Sequence, residues 1–270
     1  MKAKSKILII AGSDSSGGAG IQADIKTVTV FGSYAMTAVT AVTAQNTTGV
    51  KKIISIPTKT VQKQLTMILD DIGADAVKIG MLHNASIIQC VHRIIKKYKL
   101  KNVVLDPVMV AKGGANLINN SSIIYLKKLL IPLSSMVTPN IPEAEILTGY
   151  SISNKEDMIK AAKKILNMGS KSVLLKGGHL KNKMIFDILA TKKGINIFPK
   201  KKIKTKNTHG TGCTLSSALA TCLSQKKNII NSCNISLNYV HQAIISAPSY
   251  GEGFGPLNHL VLFNTRNKND

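Results

Sequence analysis

Between residues 60 and 175, short apolar runs alternate with longer segments of helical period, and this alternation constrains the fold more than any other feature. The 3.6-residue period predicts helices at about 60–72, 85–98, 121–130, 143–147 and 155–168. The runs at 75–79, 102–105, 135–137 and 172–175 read as strands, apolar enough to be buried on both faces. Such repetition implies right-handed crossovers and a parallel sheet covered by helices on both sides. Upstream, residues 6–11 form another continuous apolar strand. Ile21, Ile25, Val28 and Phe31 mark the helix after it, and a threonine-rich strand follows at 34–44. Downstream, 185–190 and 195–198 read as a hairpin across Lys193-Gly194, and a lysine-rich strand then runs to Thr205. Helices close the chain at about 214–223 and 229–245, and the polar residues after Phe263 are predicted to fray. No repeat, linker or low-complexity boundary interrupts the 270 residues, so one α/β domain is expected over 1–270.

In an open parallel sheet, ligands gather at the carboxyl ends of the strands. Polar residues fall there: Lys78-Ile79-Gly80-Met81, Asp106-Pro107-Val108-Met109, Thr138-Pro139-Asn140-Ile141-Pro142-Glu143 and Lys176-Gly177-Gly178-His179. An aspartate straight after Val103-Val104-Leu105 is costly unless something pairs with it. Asp106, Asn140 and Glu143 have the hard-oxygen character of a Mg²⁺ shell held partly through water, and Lys176 that of a phosphate counter-charge. Glu143 is equally placed as a first-turn helix acid, and Asp106 as a turn former before proline.

Two glycine-rich stretches stand out. Gly12-Ser13-Asp14-Ser15-Ser16-Gly17-Gly18-Ala19-Gly20 links a strand to a helix but has Gly18-Ala19 where a Walker A loop needs Lys-Ser or Lys-Thr. Its polar run also displaces the early glycines of a dinucleotide fingerprint, and no acid ends the second strand to hold a ribose. Asp14 and Asp24, two of only 13 acids, lie in or beside this loop. The second stretch, Thr208-His209-Gly210-Thr211-Gly212-Cys213-Thr214-Leu215-Ser216, opens a helix. Unpaired N–H groups and the positive end of the helix dipole make such a turn an anion site; tight packing explains small residues there too. Cys213 in the first turn is expected to have a lowered thiol pKa. Gln45, at the end of the second strand, offers an amide donor and a carbonyl acceptor, a pairing that suits an aminopyrimidine edge but also an ordinary turn.

Composition excludes several classes. No apolar run is long enough to cross a bilayer, and the basic Met1–Lys6 segment lacks a signal-peptide core, so a cytoplasmic protein is expected. Cys90, Cys213, Cys222 and Cys233 are far apart, which argues against zinc and against a disulfide framework. The net charge of +23 would suit a nucleic-acid partner, but Arg93 and Arg266 are the only arginines and the lysines are scattered. A basic nucleic-acid-binding protein is therefore the alternative from another class; salt-sensitive DNA binding would mark it.

The blocks Ala11 to Asp24, Ala44-Gln45-Asn46-Thr47, Lys78 to Leu82, Asp106 to Met109, Thr138 to Glu145, Lys176 to His179 and Asn207 to Cys213, in this order, resemble the hydroxymethylpyrimidine/phosphomethylpyrimidine kinases of thiamine biosynthesis. These are members of the ribokinase-like family, and the resemblance spans nearly the whole chain. It implies a three-layer sandwich with a mostly parallel central sheet. It also implies two successive ATP- and Mg²⁺-dependent phosphorylations, of the pyrimidine's hydroxymethyl group and then of the monophosphate. On that basis Gln45 grips the aminopyrimidine, with Met81 and Val108 as apolar walls and Gly12, Asp24 and the Gly17–Gly20 loop lining the pocket. Lys176, Asn140 and Thr208 face ATP, and Asp106 and Glu143 the metal. Gly210, Thr211, Gly212 and Cys213 form the anion hole, and Cys213, standing where related sugar kinases carry an aspartate base, is expected to take the hydroxymethyl proton as a thiolate. The family is usually homodimeric, and pyridoxal or pyridoxine kinases, some of which share the Gly-Thr-Gly-Cys turn, are the nearest alternative.

Overall fold

A computed structural model describes residues 2–109, 114, 118, 120–180 and 183–266. In chain order the elements are β1 (Lys6–Asp14), α1 (Gly20–Val30), β2 (Tyr34–Asn46), β3 (Gly49–Ser55), α2 (Thr58–Asp71), β4 (Ala76–Ile79), α3 (Ala85–Lys97) and β5 (Val103–Leu105). After them come α4 (Asn120–Tyr125), β6 (Met136–Val137), α5 (Ile141–Thr148), α6 (Lys155–Leu166) and β7 (Ser172–Leu175). The chain ends with β8 (Met184–Thr191), β9 (Gly194–Lys201), α7 (Thr211–Ser224), α8 (Ile229–Ile245) and α9 (Val261–Arg266).

Among the described residues the strands form one sheet in the order β3-β2-β1-β4-β5-β6-β7-β8-β9. The pairs from β2 through β7 are parallel; β3, β8 and β9 pair antiparallel at the two edges. Alternation along β1 shows why both faces are covered. Leu8 and Ile10 pack with α2, α3, α5 and α6, whereas Ile7, Ile9 and Ala11 pack with α1, α7 and α8. The expected three-layer sandwich follows. Strand order reverses beside β1, because β1 leads to β2 on one side and the chain returns to β4 on the other. A crevice is therefore left at the carboxyl ends of β1 and β4.

Some boundaries differ from the sequence reading. β1 continues through Gly12-Ser13-Asp14, with a bulge between Ala11 and Ser13, so the first three residues of the expected loop are strand. β3 was not expected: none of its residues is buried, and Lys51-Lys52 interrupt its apolar residues. The helix foreseen at 121–130 is α-helical to Tyr125, then widens to a π turn at Leu126–Leu130 and tightens at Ile131–Leu133 around Pro132. The lysine-rich strand stops at Lys201, where pairing with β8 ends. Of the residues after Phe263 expected to fray, 264–266 belong to α9, whose Val261 and Leu262 pack against the α8 layer, and 267–270 lie outside the described residues.

Candidate active site

The turn into α7 is shaped by close backbone approach. Gly210 has φ +82°, and a Cβ there would lie 1.9 Å from the Gly18 carbonyl oxygen, so only glycine fits. Thr214 N–H returns to Gly210 O at 2.9 Å, and Thr208 O accepts from Thr211 N and Oγ1. The N–H groups of Gly212 and Cys213 belong to the first helical turn, which has no carbonyl behind it. A Cβ on Gly212 would sit 3.2 Å from both Asp106 Oδ2 and Lys176 Nζ, so this backbone lies directly against that ion pair.

Asp106, Thr138, Asn140 and Lys176 converge from the ends of β5, β6 and β7. Lys176 Nζ donates to Asp106 Oδ1 at 2.9 Å, and Thr138 Oγ1 reaches the same oxygen at 3.2 Å. Burial pulls the Lys176 ammonium down, but Asp106 and Glu143 more than offset it and hold the pKa above its ordinary value. Asn140 caps α5 in a reciprocal box. Its backbone N–H donates to Glu143 Oε2 at 2.8 Å, and its side-chain oxygen accepts from Glu143 N–H at 2.9 Å. Glu143 thus does what a first-turn acid does while also facing the charged cluster. Burial drives its carboxyl up to about 7, Lys176 pulling it down and Asp106 pushing it further up.

Behind α7 lies a second ion pair. Lys78 Nζ donates to Asp24 Oδ2 at 2.8 Å with neither side chain exposed, and Ser217 Oγ donates to Asp24 Oδ1 at 2.7 Å. Burial pulls Lys78 down; Asp24, Cys213 and Asp106 outweigh it and keep the ammonium charged. This corrects the expectation for Asp24. Its carboxylate is fully buried between α1, β4 and α7, with Lys78 and Ser217 on its oxygens. The expectation of a low thiol pKa at Cys213 is corrected as well. Burial pushes the half-buried thiol up to about 12, with Asp24 and Asp106 adding to the rise. The Lys78 charge and a hydrogen bond from the Gly20 backbone pull it down without overcoming desolvation. The helix terminus does not decide, because desolvation together with the two aspartates outweighs it.

On the β1–β2 side, Met81 packs with Ala41, Ile53 and Val108. Gly12 makes room for it, since a Cβ there would lie 2.5 Å from Met81 Cε; Gly12 thus holds a wall in place. Gln45 sits at a register shift between β2 and β3, half-buried, its carboxamide between Thr43 Oγ1 at 3.2 Å and His209 Nε2 at 3.3 Å. His209 Nε2 is also 2.7 Å from Asp14 Oδ2. Asp14 is buried, which pushes its carboxyl up, but hydrogen bonds from His209 and Ser16 prevail and hold it at about 2.

The structure therefore brings Gly210, Thr211, Gly212, Cys213, Lys176, Asp106, Asn140 and Glu143 to one end of the sheet. Gln45, Met81, Val108 and Gly12 gather beside them, with Thr208 entering the turn. Sequence reasoning gave no role to Lys78, Ser217, Asp14 and His209. One signal was present for Lys78: a lysine inside the otherwise apolar Ala76–Ile79 strand needs a buried partner.

A family model described as phosphomethylpyrimidine kinase matches residues 14–258. Among curated proteins, the chain is 48% identical over 258 residues to the thiamine biosynthesis bifunctional protein ThiED of Geobacter sulfurreducens. That match covers 96% of this chain and 53% of the relative, so the chain spans about half of its length. The hydroxymethylpyrimidine/phosphomethylpyrimidine kinase of Bacillus subtilis is 45% identical over 258 residues, 95% of each chain. Among solved structures, a pyridoxal kinase of Bacillus subtilis in complex with ADP is similar with TM-score 0.90 and 38% identity, over 96% of this chain and 98% of that one. A phosphomethylpyrimidine kinase from Clostridium difficile 630 gives TM-score 0.79 and 44% identity, over 88% and 99%.

Proposed function

The chain belongs to the phosphomethylpyrimidine kinase family, and from that premise we propose how its residues carry out the family's reaction. The protein is a kinase of thiamine biosynthesis. With ATP it phosphorylates 4-amino-5-hydroxymethyl-2-methylpyrimidine to the monophosphate, and then the monophosphate to the diphosphate. One observation carries the assignment of the site: the open first turn of α7, entered through Gly210 at positive φ, lies against the Lys176–Asp106 pair.

Phosphoryl transfer passes through a loose transition state, so positioning and charge neutralisation do most of the work. The N–H groups of Gly212 and Cys213 hold the migrating phosphoryl group, with Gly210 and Thr211 shaping the turn. Lys176 faces the transferred charge, Asn140 and Thr208 border the ATP side, and Gln45 grips the pyrimidine against Met81 and Val108. Cys213 enters as a neutral thiol beside the acceptor.

Asp106 and Glu143 fit a Mg²⁺ ion. Asp106 takes its hydrogen bonds from Thr138 and Lys176 on Oδ1 and turns Oδ2 toward the α7 turn. Glu143 is held where a nearby cation would favour its charged form. Among the described residues no three His, Cys, Asp or Glu side chains converge, so phosphate and water oxygens would complete the shell. Bound Mg²⁺ supplies charge neutralisation across the ATP phosphates. A single catalytic domain, a homodimeric assembly and a cytoplasmic location complete the proposal. Among the described residues no helix is long and apolar enough to cross a membrane.

An ATP-coupled assay with the pyrimidine alcohol, its monophosphate and pyridoxal side by side tests the reading. The likeness to pyridoxal kinases is the reason for the third arm. Turnover of both pyrimidines is expected, and faster turnover of pyridoxal than of either pyrimidine would overturn the assignment.

A further inference from the structure

Asp14 is an acceptor at every oxygen lone pair the surroundings reach. Ser16 N–H and Oγ–H donate to Oδ1 at 2.9 and 2.7 Å, and Ala19 N–H donates to Oδ2 at 2.8 Å. The remaining contact on Oδ2 is His209 Nε2 at 2.7 Å. An ionised carboxylate accepts only, so His209 Nε2 carries hydrogen whether the ring is neutral or cationic. The ring is packed on one side and its backbone is anchored. It packs on Gly18, where a Cβ would lie 2.5 Å from His209 Cδ2, and Pro256 approaches the same spot. The His209 backbone N–H is tied to Gly255 O at 3.1 Å.

This decides the orientation of Gln45. With the carboxamide nitrogen beside His209, N–H donors would meet head to head across 3.3 Å. At the other end, Thr43 Oγ1, which already donates to Ser13 O at 2.9 Å, would need a second hydrogen for Gln45 Oε1 at 3.2 Å. Half a turn of the carboxamide removes both conflicts at once. Its oxygen then takes the weaker branch of a bifurcated hydrogen bond from His209 Nε2–H, whose stronger branch goes to Asp14 Oδ2, and its nitrogen donates to Thr43 Oγ1.

We propose that Asp14 and His209 are positioning residues that set the direction of the Gln45 carboxamide and so the direction in which the aminopyrimidine ring enters. The proposal rests on the reading of Gln45 as the group that meets the pyrimidine edge. The carboxamide oxygen on the His209 side accepts from the exocyclic amino group, and the nitrogen on the Thr43 side donates to the ring nitrogen. On the pyrimidine, the hydroxymethyl carbon is next to the amino-bearing carbon. His209 immediately precedes Gly210, so this direction turns the hydroxymethyl group toward the α7 turn. The reverse direction would carry it away.

The test compares the 4-amino substrate with its 4-oxo analogue, in which donor and acceptor are exchanged along the same edge. Asp14→Asn frees His209 to move its proton to Nδ1 and so removes one of the two contacts, His209 and Thr43, that hold the carboxamide in this direction. It is expected to lower kcat/KM for the amino compound and to narrow the preference over the oxo compound by about tenfold or more. An equal loss on both compounds would overturn the proposal. The second measurement uses the wild-type protein: ¹⁵N NMR of labelled histidine is expected to show hydrogen on His209 Nε2, and a ring protonated only at Nδ1 would overturn it. Gln45→Ala separates the two ideas. Unchanged kcat/KM for the amino substrate would remove the underlying reading of Gln45, whereas the histidine result bears on Asp14 and His209 alone.

Discussion

Lys78 Nζ lies 2.8 Å from Asp24 Oδ2, and neither side chain reaches solvent, so an ion pair is sealed between β4 and α1 against the inner side of α7. Ser217 holds the other oxygen of Asp24, and the same lysine is close enough to Cys213 to draw its thiol pKa down. The pair therefore ties the floor of the α7 turn to the centre of the sheet.

Breaking the pair from one side leaves a buried charge without a partner. Lys78→Met is expected to cost about 3–5 kcal/mol, read as a loss of unfolding free energy in denaturant. Adding Asp24→Leu to Lys78→Met is expected to recover much of that loss, because no isolated carboxylate then remains. A double variant less stable than the single one would contradict this account.

Asp14 makes an acid-sensitive contribution. Its folded pKa of about 2 lies below the ordinary 3.8, so the stability it adds is complete above pH 4 and is lost as pH falls from about 4 to 2. Nearly two pKa units correspond to about 2 kcal/mol. Asp14→Asn is expected to flatten the stability profile in that window, as thermal unfolding at stepped pH would show; an unchanged slope would refute the assignment.

The α7 turn leaves little room for an added carbon at Gly212. A Cβ there meets Asp106 Oδ2 and Lys176 Nζ at 3.2 Å, within the range where a neighbour must give way. Gly212→Ala is expected to lower kcat by about a hundredfold in both phosphorylations while moving the melting temperature little. Retained turnover would show that the turn does not hold the phosphoryl group.

Cys213 should be a slow nucleophile in the free protein. With its thiol near 12, alkylation at pH 8 is expected to be roughly a hundredfold or more slower than that of a free cysteine. Peptide mapping after iodoacetamide treatment measures the rate at this residue. Reaction as fast as free cysteine would restore the lowered pKa that the helix terminus alone suggests.

Much of the candidate site was legible because strand ends in a parallel sheet are where ligands meet a protein. Asp106 after Val103-Val104-Leu105, Asn140 and Glu143 after β6, and Lys176 after β7 each interrupt an apolar pattern at the place where topology makes a polar residue useful. Gly210 could be read as part of an anion turn from its neighbours alone. Less was legible where a residue's role depends on what lies across the sheet. Asp24 and Lys78 are 54 positions apart, and neither motif reveals that the other lies opposite. Cys213 shows the same limit for pKa: the helix terminus is local and visible, whereas Asp24, Asp106 and the exclusion of water arrive from elsewhere.

By itself, then, the sequence determined the layered α/β architecture, the succession of polar strand ends and the glycine turn into α7. Those follow from local periodicity and from backbone positions where only glycine fits. Tertiary structure alone decided which charges are neutralised by protein and which are left to meet a ligand. It buried Asp24 under Lys78, raised the Cys213 thiol, and set His209 between Asp14 and Gln45. Desolvation and hydrogen-bond direction depend on every group within a few ångströms, and the chain supplies those groups from segments far apart.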